Sequence, residues 1–104
     1  MGTLYGLLPS VVDSINQVFR QYPKIERAII YGSRAKGNYK IGSDIDLTLI
    51  APDLSLSELL AIENEIDDLM LPYKLDLSSM DSIENNELID HIKRVGKPFY
   101  VKGP

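Results

Sequence analysis

Two short apolar runs, Arg27–Tyr31 and Asp44–Ala51, are rich in residues that favour strands, and the second carries two acids at its head, Asp44 and Asp46 around Ile45. Residues i and i+2 of a strand share a face. Asp44, Asp46 and Thr48 are therefore expected on one face, with Ile45, Leu47 and Leu49 directed into a core. Such a strand belongs in a sheet with one covered face and one open, acidic one. Two carboxylates that close repel, and one tends to hold a proton unless a cation lies between them. A set of oxygen-only ligands favours a hard ion such as Mg²⁺, which binds through one or two carboxylates together with substrate phosphates.

The rest of the chain alternates around these runs. Pro9-Ser10 opens a segment with Val11, Val12, Ile15, Val18 and Phe19 at helical spacing, stopped by Tyr22-Pro23. Ser55 or Ser57 can cap a second helix, with an apolar face of Leu56, Leu59, Leu60, Ile62, Ile66, Leu69 and Met70. Tyr73–Leu77 alternates as a third strand. Asn85 or Asn86 caps a last helix with Leu88, Ile89, Ile92 and Val95 inward, and Gly96 is expected as its left-handed cap. Phe99-Tyr100-Val101 forms an edge strand that tolerates Pro98. The order α-β-β-α-β-α-β predicts an α+β fold (α/β two-layer), a small mixed sheet with helices packed on it.

Length and charge bound the function. At 104 residues and 44% hydrophobic, the sequence suits a single domain spanning 1–104 with an ordinary core. A net charge of −4 argues against broad, direct binding of nucleic acid, which rests on neutralised phosphates. No cysteine is present, which excludes a thiol nucleophile and a thiolate metal site. The stretch MGTLYGLLPSVV lacks the basic region of a signal peptide, and no segment reaches the length of a membrane span, so a cytoplasmic, non-membrane protein is expected.

The third strand brings another acid. Asp76 lies between Leu75 and Leu77, and if the leucines face the core it joins Asp44 and Asp46. Three carboxylates suit two metal ions about 3.5–4 Å apart. At the other end of the loop, Gly32-Ser33 leaves a strand and precedes a short helical turn, Arg34-Ala35-Lys36. A glycine there lets backbone approach a phosphate closely. The Ser33 hydroxyl and the N–H groups that follow can bind phosphate oxygens. Arg34, Lys36 and Lys40 add positive charge beside them. One end of the stretch would hold a triphosphate and the other the metals that act on it.

Gly32-Ser33, ten residues, then Asp44-x-Asp46 resembles the signature of the DNA polymerase β nucleotidyltransferase superfamily. The fuller text GSRAKGNYKIGSDIDL is similar to its minimal nucleotidyltransferase (MNT) family, with Lys36, Gly37 and Lys40 in the loop and Ser43 before the aspartates. Asp76 matches that family's third carboxylate. Ile41-Gly42 departs from it, since relatives often carry a more polar pair there. Each half of the signature is weak alone; joined at strand junctions, with a later strand acid, they are fairly specific.

The resemblance implies a polymerase β-like palm fold and an Mg²⁺-dependent nucleotidyltransferase, with two ions (Mn²⁺ as an alternative) and ATP or another nucleoside triphosphate as substrate. It implies that Asp44, Asp46 and Asp76 are catalytic and bind metal, Asp76 also assisting deprotonation of the acceptor. It assigns nucleotide binding to Gly32, Ser33, Arg34, Lys36, Lys40 and Ser43, with Gly32 and Ser33 on the β- and γ-phosphates. Small stand-alone members resemble the MntA-type antitoxins encoded with a helical HEPN partner, and some transfer AMP to a tyrosine of that partner. A HEPN-type subunit is the expected partner and its hydroxyl the expected acceptor. An acidic subunit also suits a partner with a basic surface.

Taken singly, these residues have plainer readings: a strand exit capped by Ser33, solvated acids on an edge, a surface Asp76. Arg34, Lys36 and Lys40 divide evenly between phosphate contacts and solvated charge. Tyr39 is expected to cover the loop, and His91 to face solvent or a partner. Two other functions stand beside the enzyme. One is a non-catalytic module that binds nucleotide or partner and acts by occlusion, which would need none of the acids. The other is a small-molecule, antibiotic-type nucleotidyltransferase, disfavoured by the lack of a second domain for the acceptor.

Overall fold

Ala28 and Ile30 have no exposed surface, while Arg27 is exposed and Ile29 half-buried, so one face of the first strand is covered. In the computed structural model, which describes residues 4–103, this strand is β1, Arg27–Tyr31. Met1–Thr3, the start of the amino-terminal stretch read above, lie outside the described residues. β1 pairs antiparallel with β2 (Ile45–Ile50) and with β4 (Lys97–Val101), and β2 pairs parallel with β3 (Leu75–Ser79). The order is β3-β2-β1-β4, a mixed sheet with β4 and its Pro98 on an edge, where the missing N–H of proline costs no ladder bond.

α1 (Pro9–Arg20) and α3 (Leu56–Asp67) cover the face that carries Ala28, Ile30, Ile45, Leu47, Leu49 and Leu77. Val11, Val12, Ile15, Val18 and Phe19 of α1 are all buried, as their spacing predicts. Phe19 meets Tyr100 of β4 with ring centroids 5.6 Å apart. α4 (Asn86–Val95) lies across β1 on the opposite face, where Ile92 is buried and His91 stands edge-on to Tyr31. Only part of that second face is covered, and the acids occupy the part left open.

Three elements depart from expectation. β3 starts two residues later than the alternation suggests. Its register opens at Ile45↔Leu75, and Tyr73 lies outside the ladder with its ring against the Arg34 guanidinium, 5.1 Å away. Gly96 is not a left-handed cap. Its φ of −61° and ψ of 143° carry the chain straight into β4. A Cβ there would strike the Ile92 carbonyl and the Ile29 side chain, so this glycine serves the close approach of α4 to β1. The apolar face of α3 is wider than what it buries. Ile62 and Ile66 are buried, whereas Leu56 and Leu60 are 71% and 49% exposed and Leu69 and Met70 lie beyond the helix end. Ser55 is the cap of this helix, forming a capping box with Glu58.

Candidate active site

The acids come from two adjacent strands and the residue ahead of one of them. Asp46 is directly opposite Asp76 in the parallel β2–β3 register, and opposite Tyr31 on the β1 side, which makes a cross-strand row Tyr31, Asp46, Asp76 on the open face. Asp44 lies one residue ahead of β2, just outside the ladder, and is exposed like Asp76; Asp46 is half-buried. The expectation that Asp44 shares a strand face with Asp46 therefore changes in detail: it approaches from the strand entry. Its charge still reaches Asp46. The Asp46 carboxyl is pushed above its ordinary range, first by burial, then by the negative charges of Asp76 and Asp44, with His91 acting in the opposite direction. Below these groups Thr48, fully buried, accepts from the Ser78 hydroxyl at 3.0 Å and ties β2 to β3 under the acids.

The Gly32–Ser33 turn sits against this row. α2 (Gly32–Lys36) begins as β1 ends, and Gly32 has a φ of +73°, in the left-handed region. A Cβ at Gly32 would collide with the Asp46 carboxylate, so glycine is required both by the backbone angle and by the packing of the turn onto Asp46. The close approach that the sequence ties to a phosphate is, in the structure, an approach to Asp46. The Gly32 N–H donates to Nε2 of His91 at 3.1 Å. His91 is thus part of the site, and the expectation of a solvent- or partner-facing histidine is corrected. Its partner lies 59 residues earlier in the chain, and nothing local to Asp90-His91-Ile92 announces it. Ser33, half-buried, follows directly.

Arg34 and Ser43, expected among the nucleotide-binding residues, are placed inside the scaffold of the loop. Arg34 is only 3% exposed. Its Nε and Nη2 donate to the Ser43 carbonyl at 3.1 and 2.9 Å, and Nη1 donates to the Tyr5 carbonyl at 3.0 Å. The rings of Tyr39 and Tyr73 lie 5.2 and 5.1 Å from the guanidinium carbon. A planar fork suits this role, since two donors converge on one carbonyl while the cation meets two aromatic rings. Tyr39 does cover the loop, over Arg34 and against Gly6. The Tyr5 carbonyl is presented by a tight turn in which Leu4 and Leu7 exchange both backbone hydrogen bonds at 2.9 Å. Ser43 closes the other end: its N–H reaches the Lys40 carbonyl at 3.0 Å and its hydroxyl accepts from the Lys40 N–H at 2.8 Å. Gly42, third in that turn, has a φ of +86°, a position that favours glycine. This accounts for Gly42; nothing in the structure explains Ile41, which is exposed. Lys36 and Lys40 are exposed, at the end of α2 and on the loop.

Among the described residues, no three His, Cys, Asp or Glu side chains converge closely enough to hold a metal ion by themselves. The donor set nonetheless fits a hard divalent ion of the kind that takes few protein ligands. Asp46 and its neighbours offer only carboxylate oxygens, and their mutual repulsion is relieved by positive charge. A cleft of about 410 Å³ opens between α3 and β3, with Asp76, Lys74 and Tyr73 on its lining.

The sequence model of the family Polymerase beta, Nucleotidyltransferase matches residues 13–103. The chain belongs to the polymerase beta nucleotidyltransferase family. Three solved structures show the same nucleotidyltransferase fold. A toxin–antitoxin crystal structure with AMP-PNP superposes with a TM-score of 0.70 at 22% identity, covering 88% of this chain and 73% of that one. The toxin–antitoxin MntA–HepT gives 0.67 at 18% identity, covering 91% and 74%. The tri-AMPylated Shewanella oneidensis HEPN toxin in complex with its MNT antitoxin gives 0.66 at 19% identity, covering 89% and 71%. No curated protein matches the sequence. No helix among the described residues is long and apolar enough to cross a membrane.

Proposed function

We propose that this nucleotidyltransferase moves a nucleoside monophosphate, AMP from ATP, to a hydroxyl of a partner protein, and that it serves as the antitoxin of a HEPN/MNT pair. The observation that carries the chemistry is the crowding of Asp46 by Asp44 and Asp76 against the Gly32–Ser33 turn. A fold maintaining three mutually repelling acids beside a strand-to-helix turn has a use for positive charge there. The partner is suggested by the solved toxin–antitoxin pairs that share the fold, one of them described as AMPylated.

Asp44, Asp46 and Asp76 would hold Mg²⁺, with triphosphate oxygens completing its shell. Bound there, the ion would neutralise charge developing on the phosphates. Ser33, through its hydroxyl and N–H, would bind the phosphates distal to the reacting one, and Lys36 and Lys40 would add positive charge. The acceptor oxygen forms its bond to the α-phosphorus as the bond to the bridging oxygen breaks and pyrophosphate leaves. Asp76, on the edge strand and directly opposite Asp46, would take the acceptor's proton. Positioning and charge complementarity would supply most of the rate, as in other phosphoryl transfers.

The test is a labelling reaction with purified protein, host lysate, Mg²⁺ and α-labelled ATP, run beside the Asp44→Ala, Asp46→Ala double variant. A labelled protein band that requires the acids, and the metal, is the expected result. Absence of such a band in lysate from which a partner copurifies, with the other nucleotides also tried, would favour a module that acts by occlusion.

A further inference from the structure

We infer that His91 is a positioning residue for the Gly32–Ser33 turn, and so for triphosphate binding, resting on the reading of that turn as the phosphate site. Gly32 is the first residue of α2, where a backbone N–H has no partner within the helix. In this structure that N–H is directed at His91 Nε2. Nε2 of the ring is the acceptor of this hydrogen bond. The ring is held in place by its edge-on contact with Tyr31, centroids 6.1 Å apart at 80°, and by the buried Ile92 that follows it on α4.

Two consequences follow for the site. With Gly32's N–H engaged, the amides and hydroxyl that meet phosphate begin at Ser33. The turn is also fixed from both sides, by His91 on its N–H and by Asp46 against its Cα, so a loss of the His91 bond lets Ser33 shift while the acids stay on their strands. His91 then acts on substrate affinity through Gly32, without touching the reacting atoms.

His91→Leu removes the acceptor, and His91→Gln keeps one at a similar distance from the backbone. The two variants and the wild type would be compared by amide exchange at Gly32 in the free protein, by Mg·ATP affinity, and by the KM and kcat of transfer. Leu should speed Gly32 exchange and raise both the dissociation constant and KM about tenfold, with kcat within about twofold, in the range of losses typical of residues that orient a ligand-binding group. Gln should return exchange and affinity most of the way to wild type. Equal Gly32 exchange in wild type and His91→Leu overturns the inference, as does a Leu defect that Gln does not rescue or that falls on kcat alone. Wild-type protein that binds no triphosphate would overturn the functional reading, and the Gly32 exchange comparison would still decide whether His91 holds the turn.

Discussion

Asp46 concentrates the conflict that the site is built around. Its pKa is raised above the ordinary 3.8, so the folded protein keeps a proton on it over a pH range in which the unfolded chain has already released one. Stability from this group is therefore lost as pH rises from 3.8 through the raised folded value, and the penalty is fully present above that value. Asp46→Asn should raise the melting temperature at neutral pH without metal, and the gain should vanish below pH 3.8, where both forms are neutral. Thermal melts across pH would check this; an Asn variant no more stable than wild type at pH 7 would show that Asp46 is not crowded by its neighbours. Arg34 makes the opposite case. It is buried, and its guanidinium bridges two carbonyls and meets two tyrosine rings. Arg34→Lys keeps the charge and loses the fork, and should cost about 2–3 kcal/mol in denaturant melts. A stable Lys variant with weakened triphosphate binding would instead place Arg34 on the substrate. Ser33→Ala should leave stability unchanged and weaken Mg·ATP binding about three- to tenfold, measured by calorimetry.

At the scale of elements, α1 is legible because its buried residues repeat at helical spacing and nothing apolar on it is left over. α3 is not, although its start is. Ser55 and Glu58 form the capping box that the sequence can announce, and Ser55→Ala should cost about 1 kcal/mol, seen as a fall of about 4–8 °C in melting temperature for a domain of this size. The apolar residues of α3 spread beyond one stripe. At about 100° per residue, Leu56 and Leu60 lie roughly a third of a turn from Ile62 and Ile66, and only the latter pair reaches the sheet. Composition tells which residues are apolar, not how wide a face the neighbours will cover. Strand positions err for a similar reason. Tyr73 alternates correctly with Leu75 and Leu77, yet it is drawn out of the ladder to stack on Arg34. Gly96 matches a left-handed cap in position and is used for a close approach instead, because the strand follows at once.

Over the whole molecule, the parts of the candidate site that carry a local signal were readable and the parts supplied from afar were not. Gly32, Asp44, Asp46 and Asp76 carry their own local signal: a glycine at a strand exit, and acids where apolar residues are expected. His91 reaches Gly32 from α4, and the Tyr5 carbonyl reaches Arg34 from the amino-terminal turn. Those pairings are consequences of how α4 and the first turn pack, and no periodicity encodes them. The fold gathers both halves of the signature at the open part of one sheet face, with α1 and α3 reserved for the core on the other. The central claim is that the three acids and the Gly32–Ser33 turn together form one site for a metal-bound triphosphate. It is tested most directly by calorimetric titration of ATP into wild type and Asp46→Asn, each with and without Mg²⁺. Saturable binding to the wild type that needs Mg²⁺ and is lost in Asp46→Asn, in a variant still folded, is the predicted result. Equal binding by both proteins, or binding indifferent to Mg²⁺, would contradict it.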